Sequence, residues 1–462
     1  ADVYPLAPLQ EGIFFHHMMA DRDSADVYVT PTVVEFDSRD RLDGFLAALQ
    51  QVVDRTDVYR TSVVWQGLRE PVQVVWRHAR LPIDEVELHE GTDPAEQLIA
   101  LATERVDLDR APLIRTTTAA VPGSGRWLAL LRIHHLVQDH TTLDVLLGEL
   151  RAFLEGRGDE LPEPVPFREF VAQARLGVPR EEHERYFAEL LGDVTETTAP
   201  YGLTEVHGDG SAAVHSRREV DDDLAARLHR LARSLGVSPA ALFHLAWARV
   251  LGAVSGRDDV VFGTVLFGRM NSGAAADRVQ GLFINTLPVR VRLAAGSTRD
   301  ALTGLRDQLA GLLVHEHAPL ALAQRAAGIT DGSPLFASIF NYRHNQDDPA
   351  ASAGLEGIRT VYSAEHTNYP LDASIDVTGD RFAITVNAVA PADAARIAEL
   401  MHTCLGHLAD VLEDAPETPL SWVSPLSAED LGRIVGDWNE TRRAVTRASV
   451  PELFAKQVAA TP

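Results

Sequence analysis

Residues 127–140, Trp127-Leu-Ala-Leu-Leu-Arg-Ile-His134-His135-Leu-Val-Gln-Asp139-His140, carry an apolar run into a cluster of imidazoles and one carboxylate. The run Trp127 to Ile133 is short, rich in Leu and bounded upstream by Pro122-Gly-Ser-Gly125, which predicts a buried strand. After the cluster, Leu143, Leu146, Leu147, Leu150 and Leu154 recur at helical spacing. Thr141 with Asp144 has the form of a capping box, so a helix is expected over about 141–155. The histidines therefore fall at a strand-to-helix turn, where a backbone can present a base while a carboxylate braces the loop.

Three readings of the cluster stand open on these residues alone. Catalysis is the first. The second is structural: a histidine beside a core is often simply hydrogen-bonded, and adjacent histidines on a strand face opposite sides, so at most one faces a given pocket. The third is a metal site made from His134, His135, Asp139 and His140. Strand ligands want i, i+2 spacing, however, the chain has a single cysteine (Cys404), and no second cluster of ligand spacing appears.

At 462 residues the chain exceeds the ~250–300 at which single cores stop growing, so at least two subdomains are expected. The start at Ala1-Asp-Val-Tyr4 lacks a basic segment followed by an apolar one, and no apolar run of spanning length occurs, so neither a signal peptide nor a membrane span is expected. One cysteine fits a reducing compartment, and the expected location is cytoplasmic. With 42 basic against 66 acidic residues, a net charge of −24, neither nucleic acid nor anionic lipid is an expected partner. Asp221-Asp-Asp223 precedes a helical pattern and reads as favourable charge at a helix N-terminus.

Two α/β halves are legible. The first contains a strand at Val29 to Phe36, a helix at Leu42 to Val53, strands at Thr61 to Trp65 and Pro71 to Trp76, and the strand-turn-helix around His134. Gly177-Val-Pro179 marks the joint, and a Gly/Thr/Asp-rich loop spans Gly192 to Gly210. The second half has helices at Asp223 to Leu235, at Ala240 to Val254 behind Ser238-Pro239, and at Arg299 to Leu313. Its strands are expected at Asp259 to Val265, Ile339 to Tyr342, Leu371 to Val377 and Phe382 to Val389.

His134-His135-Leu-Val-Gln-Asp139 resembles the HHxxxDG signature of condensation domains of nonribosomal peptide synthetases. Further segments resemble that family in order along the chain: Tyr4 to His16, Tyr59-Arg60-Thr61, Phe167 to Val171, Gly281 to Arg290, and Phe340 to Asn345 with Thr367 to Leu371. Asp437-Trp438-Asn439-Glu-Thr441, Leu453-Phe454 and Thr461-Pro462 are similar to the lead into an adenylation domain.

The resemblance implies an α/β fold of two chloramphenicol-acetyltransferase-like subdomains, a V-shaped pseudo-dimer with a tunnel between them. The expected divisions are 1–175, carrying the HHxxxD motif, 176–436 as the second subdomain, and 437–462 as linker and start of an adenylation domain. The implied activity is peptide-bond formation between donor acyl or peptidyl and acceptor aminoacyl thioesters. Phosphopantetheine arms of upstream and downstream peptidyl carrier proteins deliver both, and no cofactor or metal is intrinsic. His135 is expected to meet the amine, with His134 supporting the loop and Asp139 pairing with Arg269 as scaffold. Arg60 and Asn345 are candidates for tunnel lining, as is His140, which stands where the family has glycine.

The opening Pro5-Leu-Ala-Pro8-Leu-Gln10-Glu-Gly12 resembles domains that follow an epimerising module or combine both activities. His16-His17 lacks the ending that marks the combined type, so simple condensation, with a D-configured donor, is expected. A CoA-dependent acyltransferase and a non-catalytic recruitment module of the same fold are the alternatives.

Overall fold

Along Val29 to Phe36, Val29, Pro31, Val33, Val34 and Phe36 are buried, and with Val33 in one apolar cluster and Val34 in another the strand is packed on both faces. The computed structural model describes residues 2–19, 26, 28–103, 105–204, 213–269, 279–344, 355–363, 369–444 and 447–461. The first part of the chain gives β1 (Asp2–Pro5), α1 (Pro8–Met19), β2 (Val29–Phe36), α2 (Arg39–Arg55), β3 (Thr61–Val64), β4 (Val72–Val75), β5 (Ile83–Glu85), α3 (Pro94–Ile99), β6 (Ile114–Ala120), β7 (Trp127–His134), α4 (His140–Leu154) and α5 (Phe167–Leu176). The second gives α6 (Arg180–Leu191), β8 (Val214–Glu219), α7 (Asp222–Leu235), α8 (Pro239–Ser255), β9 (Asp259–Leu266), β10 (Asn285–Arg292), α9 (Thr298–Val314), α10 (Leu320–Ala326), β11 (Ser338–His344), β12 (Ile358–Ser363), β13 (Leu371–Thr378), β14 (Arg381–Ala388) and α11 (Ala394–Asp414).

Two mixed sheets organise two lobes. The N-terminal lobe has the five-stranded order β12-β2-β7-β6-β5 beside a small β1-β4-β3 sheet, and the C-terminal lobe has the six-stranded order β10-β9-β11-β13-β14-β8. β7 is central, antiparallel to both β2 and β6, which explains why seven of its eight positions are buried. In the C-terminal lobe, α8 is buried nearly all round, with Phe243 and Trp247 packed among Phe262, Phe340 and Phe382.

The lobes exchange segments across the expected division at 175. β12 pairs with the edge of β2 in the other lobe. Val279, Leu282 and Phe283 join the N-terminal core, where Phe283 packs on Phe167 and Phe170 at centroid distances of 5.5 and 4.2 Å. The chain from Ala1 to Pro425 forms one compact unit, and Leu426 to Pro462 forms a second. In the second unit, α12 (Ala428–Val435) starts at a Ser427–Asp430 capping box, and α13 (Val450–Ala460) follows Ser449 and Glu452. No single helix among the described residues is long and apolar enough to cross a membrane; α7 and α8 pass that test only as a pair bent by 109°.

Candidate active site

Strand β7 ends at His134, which is paired with Val29, and residues His135 to Val137 form one turn of 3-10 helix. A turn that leaves a sheet exposes backbone donors and acceptors, and the N–H groups of His134, His135 and Leu136 are all engaged here. His134 N–H donates to Leu113 O at 3.0 Å, and His135 N–H donates to Tyr28 O at 2.7 Å. Leu136 N–H donates to the His134 ring at Nδ1, 3.1 Å. Leu136 O accepts from Gln10 Nε2 at 2.7 Å, and Gln10 is itself locked by a reciprocal amide pair with Gln73. The turn is therefore clamped at both the N–H and the C=O of Leu136.

The two motif histidines have different surroundings. His134 is fully buried, and burial pushes its pKa down while Asp26 pulls it partly back. His135 is half-buried, and its Nδ1 is buried with no hydrogen-bond partner among the described residues. An imidazole nitrogen in that condition has a lone pair or a proton available to something the fold does not supply. The opposite-faces expectation for two strand residues is replaced by a different cause: His134 ends the strand and His135 begins the turn.

Asp139 closes the loop and begins α4. Its extended backbone, φ −119° and ψ −179°, brings Oδ1 to the N–H of Thr142 at 2.8 Å. The helix start thus uses Asp139 as its cap, ahead of the expected Thr141–Asp144 box, because Asp139 combines the extended backbone with the i+3 offset. Arg269 Nη2 donates to Asp139 Oδ1 and Oδ2 at 3.1 and 3.3 Å, and Phe283 N–H donates to Oδ2 at 3.0 Å. Both carboxylate oxygens are saturated by charge and by amides, the Arg269 and Phe283 donors coming from the second half of the chain, so Asp139 has no lone pair in position to take a substrate proton.

Around this ion pair the packing leaves little slack. Arg269 stacks over the Phe283 ring at 3.9 Å, and its Nη1 donates to Val279 O at 2.7 Å. Thr142 Oγ1 donates to Gly281 O at 2.6 Å and accepts from Gly281 N–H at 3.0 Å. Gly281 has φ 147°, and a Cβ there would lie 2.2 Å from the Phe167 ring. That is why the position takes glycine.

The remaining candidates lie elsewhere. His140 is the first residue of α4 and is exposed. Arg60 Nη1 donates to Trp76 O and Arg77 O at 2.7 and 3.3 Å, where it ties down the end of β4. Asn345 lies outside the described residues. The four candidate metal donors at 134, 135, 139 and 140 are not gathered, since His134 and Asp139 are each committed to other partners. A different trio, His17, Asp26 and His134, has donor atoms all within 4.8 Å. Cys404 is buried in α11, its thiol pushed up to about 12 by burial.

A family model described as condensation domain matches residues 1–431. The chain belongs to the condensation-domain family. Among curated relatives of this condensation domain, malpibaldin synthetase of Mortierella alpina is 44% identical over 95% of the chain, which covers 8% of that protein. Malpinin synthetase of the same organism is 41% identical over 100% of the chain and 6% of its own length. The domain thus spans less than a tenth of these curated relatives. By structure it resembles a four-domain nonribosomal peptide synthetase bound to AMP and glycine, with TM-score 0.75 and 16% identity over 99% of this chain and 36% of that one. It also resembles the first condensation domain of the CDA synthetase, with TM-score 0.68 and 18% identity over 92% and 100%. These likenesses show the two-lobed fold, and condensation domains are amide-bond-forming acyltransferases.

Sequence reasoning passed over Asp26, Tyr28 and Thr142 in this condensation domain, and left Gln10 without a role. Thr142 had a signal, the i+3 offset from Asp139. Asp26 and Tyr28 had none, because they reach the motif through tertiary pairing of β2 with β7.

Proposed function

We propose that the domain joins two carrier-bound substrates by aminolysis of a thioester. The amine of an acceptor aminoacyl thioester attacks the donor carbonyl carbon; a C–N bond forms, the C–S bond breaks, and the donor arm departs as a thiol carrying the proton the amine gives up. What carries the reading is the His135 Nδ1 atom, buried and unpartnered among the described residues, on a turn whose Leu136 N–H and C=O are both tied down.

His135 accepts a hydrogen bond from the incoming amine and relays its proton. An α-amino group with pKa near ~8 is already partly neutral, so orienting the nucleophile suffices to start the reaction. Holding two thioesters in register supplies roughly 7–11 kcal/mol of the barrier reduction. Phosphopantetheine arms of an upstream donor and a downstream acceptor carrier protein bring the substrates in this reading, through the tunnel between the lobes. The match of the whole chain to a multidomain synthetase supports placing an adenylation domain after it.

The test uses the full chain with one carrier protein bearing an alanyl or leucyl thioester and a second bearing a glycyl thioester. Intact-mass spectrometry should show a dipeptidyl acceptor carrier, and His135→Ala should lower its rate of formation by roughly 10²–10⁴-fold. No dipeptide with any pair, together with turnover of acetyl-CoA alone, would replace this reading with that of a free acyltransferase.

A further inference from the structure

Asp26 lies far from the HHxxxD motif in sequence, yet it reaches the catalytic turn by two routes. Its Oδ1 accepts from Tyr28 N–H at 3.1 Å and its carbonyl accepts from Val29 N–H at 3.1 Å, which fixes the Tyr28 carbonyl where His135 N–H donates to it. Its Oδ2 lies 3.3 Å from His134 Nε2 and 2.6 Å from His17 Nδ1. The carboxylate is nearly buried between the two rings, whose centroids are 5.7 Å apart.

Tautomer chemistry connects these contacts. His134 Nδ1 accepts the Leu136 N–H, so in the neutral ring the single proton sits on Nε2 and points at Asp26. Burial raises the pKa of the Asp26 carboxyl, but hydrogen bonds from His134 and His17 more than reverse this and hold it below the usual carboxylate range. A carboxylate there favours Nε2–H over Nδ1–H, and only that tautomer leaves Nδ1 free to cap the turn.

The same chemistry weighs against a metal at this trio. A cation bound at His134 Nε2 would displace the proton to Nδ1, where it would face the Leu136 N–H donor and break the cap.

We propose that Asp26 is a positioning residue for His135: it locks His134 in the Nε2–H tautomer that caps the turn, with His17 as the second donor to the same carboxylate. The proposal rests on the role assigned to His135 above.

Two measurements on the full chain test it. Long-range ¹H–¹⁵N correlation with ¹⁵N-histidine at neutral pH should show His134 as the Nε2–H tautomer in the wild type and a mixture in Asp26→Ala. Asp26→Asn, which keeps an acceptor oxygen for His134, should restore the Nε2–H signature. In the carrier assay, kcat should fall by about 10–100-fold in Asp26→Ala, with KM for the glycyl carrier within about threefold, and Asp26→Asn should recover most of the loss.

A wild-type spectrum with the proton on Nδ1 overturns the proposal without any variant having to fold. So does wild-type kcat in Asp26→Ala, or stoichiometric Zn²⁺ retention by the wild type that Asp26→Ala abolishes. A wild type that makes no dipeptide while showing the tautomer and its loss in Asp26→Ala sinks the functional reading and leaves the lock established.

Discussion

The two lobes contain turns of the same length and hydrogen-bond frame. In the N-terminal lobe residues 135–139 connect β7 to α4, and in the C-terminal lobe residues 389–393 connect β14 to α11, five residues in each case. His135 N–H donates to Tyr28 O, the residue before β2, and Val389 N–H donates to Pro370 O, the residue before β13. Gln138 N–H returns to His135 O, and Ala392 N–H returns to Val389 O. Each turn ends in an aspartate whose side chain caps the helix three residues on, at 2.8 Å for Asp139 and 3.1 Å for Asp393.

The hydrogen-bond frame is thus common to both lobes, although residues 135–137 form a 3-10 turn and the Ala390–Pro391 peptide is cis, and what sets the N-terminal turn apart is its side chains. Where the N-terminal lobe has His134 and His135, the C-terminal lobe has Ala388 and Val389 at the matching hydrogen-bond positions. Asp139 is buried and bonded to Arg269 from the second half of the chain, whereas Asp393 is exposed. One lobe adds two histidines and a buried ion pair to a unit that the other uses as plain architecture.

The sharpest way to break this comparison is to remove each cap in turn. Asp139→Ala strands the buried Arg269 guanidinium and should cost about 3–5 kcal/mol in chemical denaturation. Equal costs at Asp139 and Asp393 would mean that the ion pair adds nothing to the cap.

A second test contrasts buried imidazoles. His244 in α8 has both nitrogens engaged, Nδ1 with Ala240 O at 2.7 Å and Nε2 with Thr264 Oγ1 at 2.8 Å, and burial lowers its pKa to about 4. Because the folded value is depressed, the unfolded chain takes up the proton first. Stability is therefore intact above the ordinary histidine pKa of ~6.5 and declines as pH falls toward about 4, by about 3 kcal/mol from this group. His183 and His315 are lowered too, by burial first, so the informative quantity is the difference between His244→Leu and wild type. Urea melts at pH 7 and pH 4 should show a smaller acid loss in the variant; identical losses would remove His244 from the acid limb.

Smaller effects sit on the plain side of the comparison. Asp393→Ala loses one exposed cap and should cost about 1 kcal/mol, with dipeptide formation unchanged. Smallest is His140→Gly, at the exposed first position of α4, where α11 has the buried Ala394. We expect wild-type rates with a glycyl acceptor and, if the ring narrows the entrance, faster turnover of a phenylalanyl one. A uniform loss across acceptors would give His140 a part in the chemistry.

Much of this architecture is legible in the order of residues alone. Val29–Phe36 is rich in β-branched residues, and Ser238-Pro239 announces the start of α8. β10 is harder, because Pro288 argues against a strand; it is tolerated since β10 is the sheet's edge. β8 and β12 are mostly polar, β8 almost wholly exposed and β12 half so, and they carry no apolar alternation to read. At the site, pattern and resemblance suffice to name the motif histidines, Asp139 and Arg269. They do not reach the Asp26 contacts, since no local rule places residue 26 beside residue 134.

The pairing of β12 with β2 also bears on how the chain is made. β12 covers β2 from Thr32 to Phe36, yet it leaves the ribosome long after it. At ~5–20 residues per second, the stretch from Phe36 to Ile358 takes roughly 15–65 s to synthesise. Throughout that interval the nascent N-terminal sheet has an open edge, and neighbouring chains on a polysome present the same one. A newly made N-terminal lobe is consequently a template for strand addition by its own siblings, and truncation before residue 358 should yield material that associates through β2.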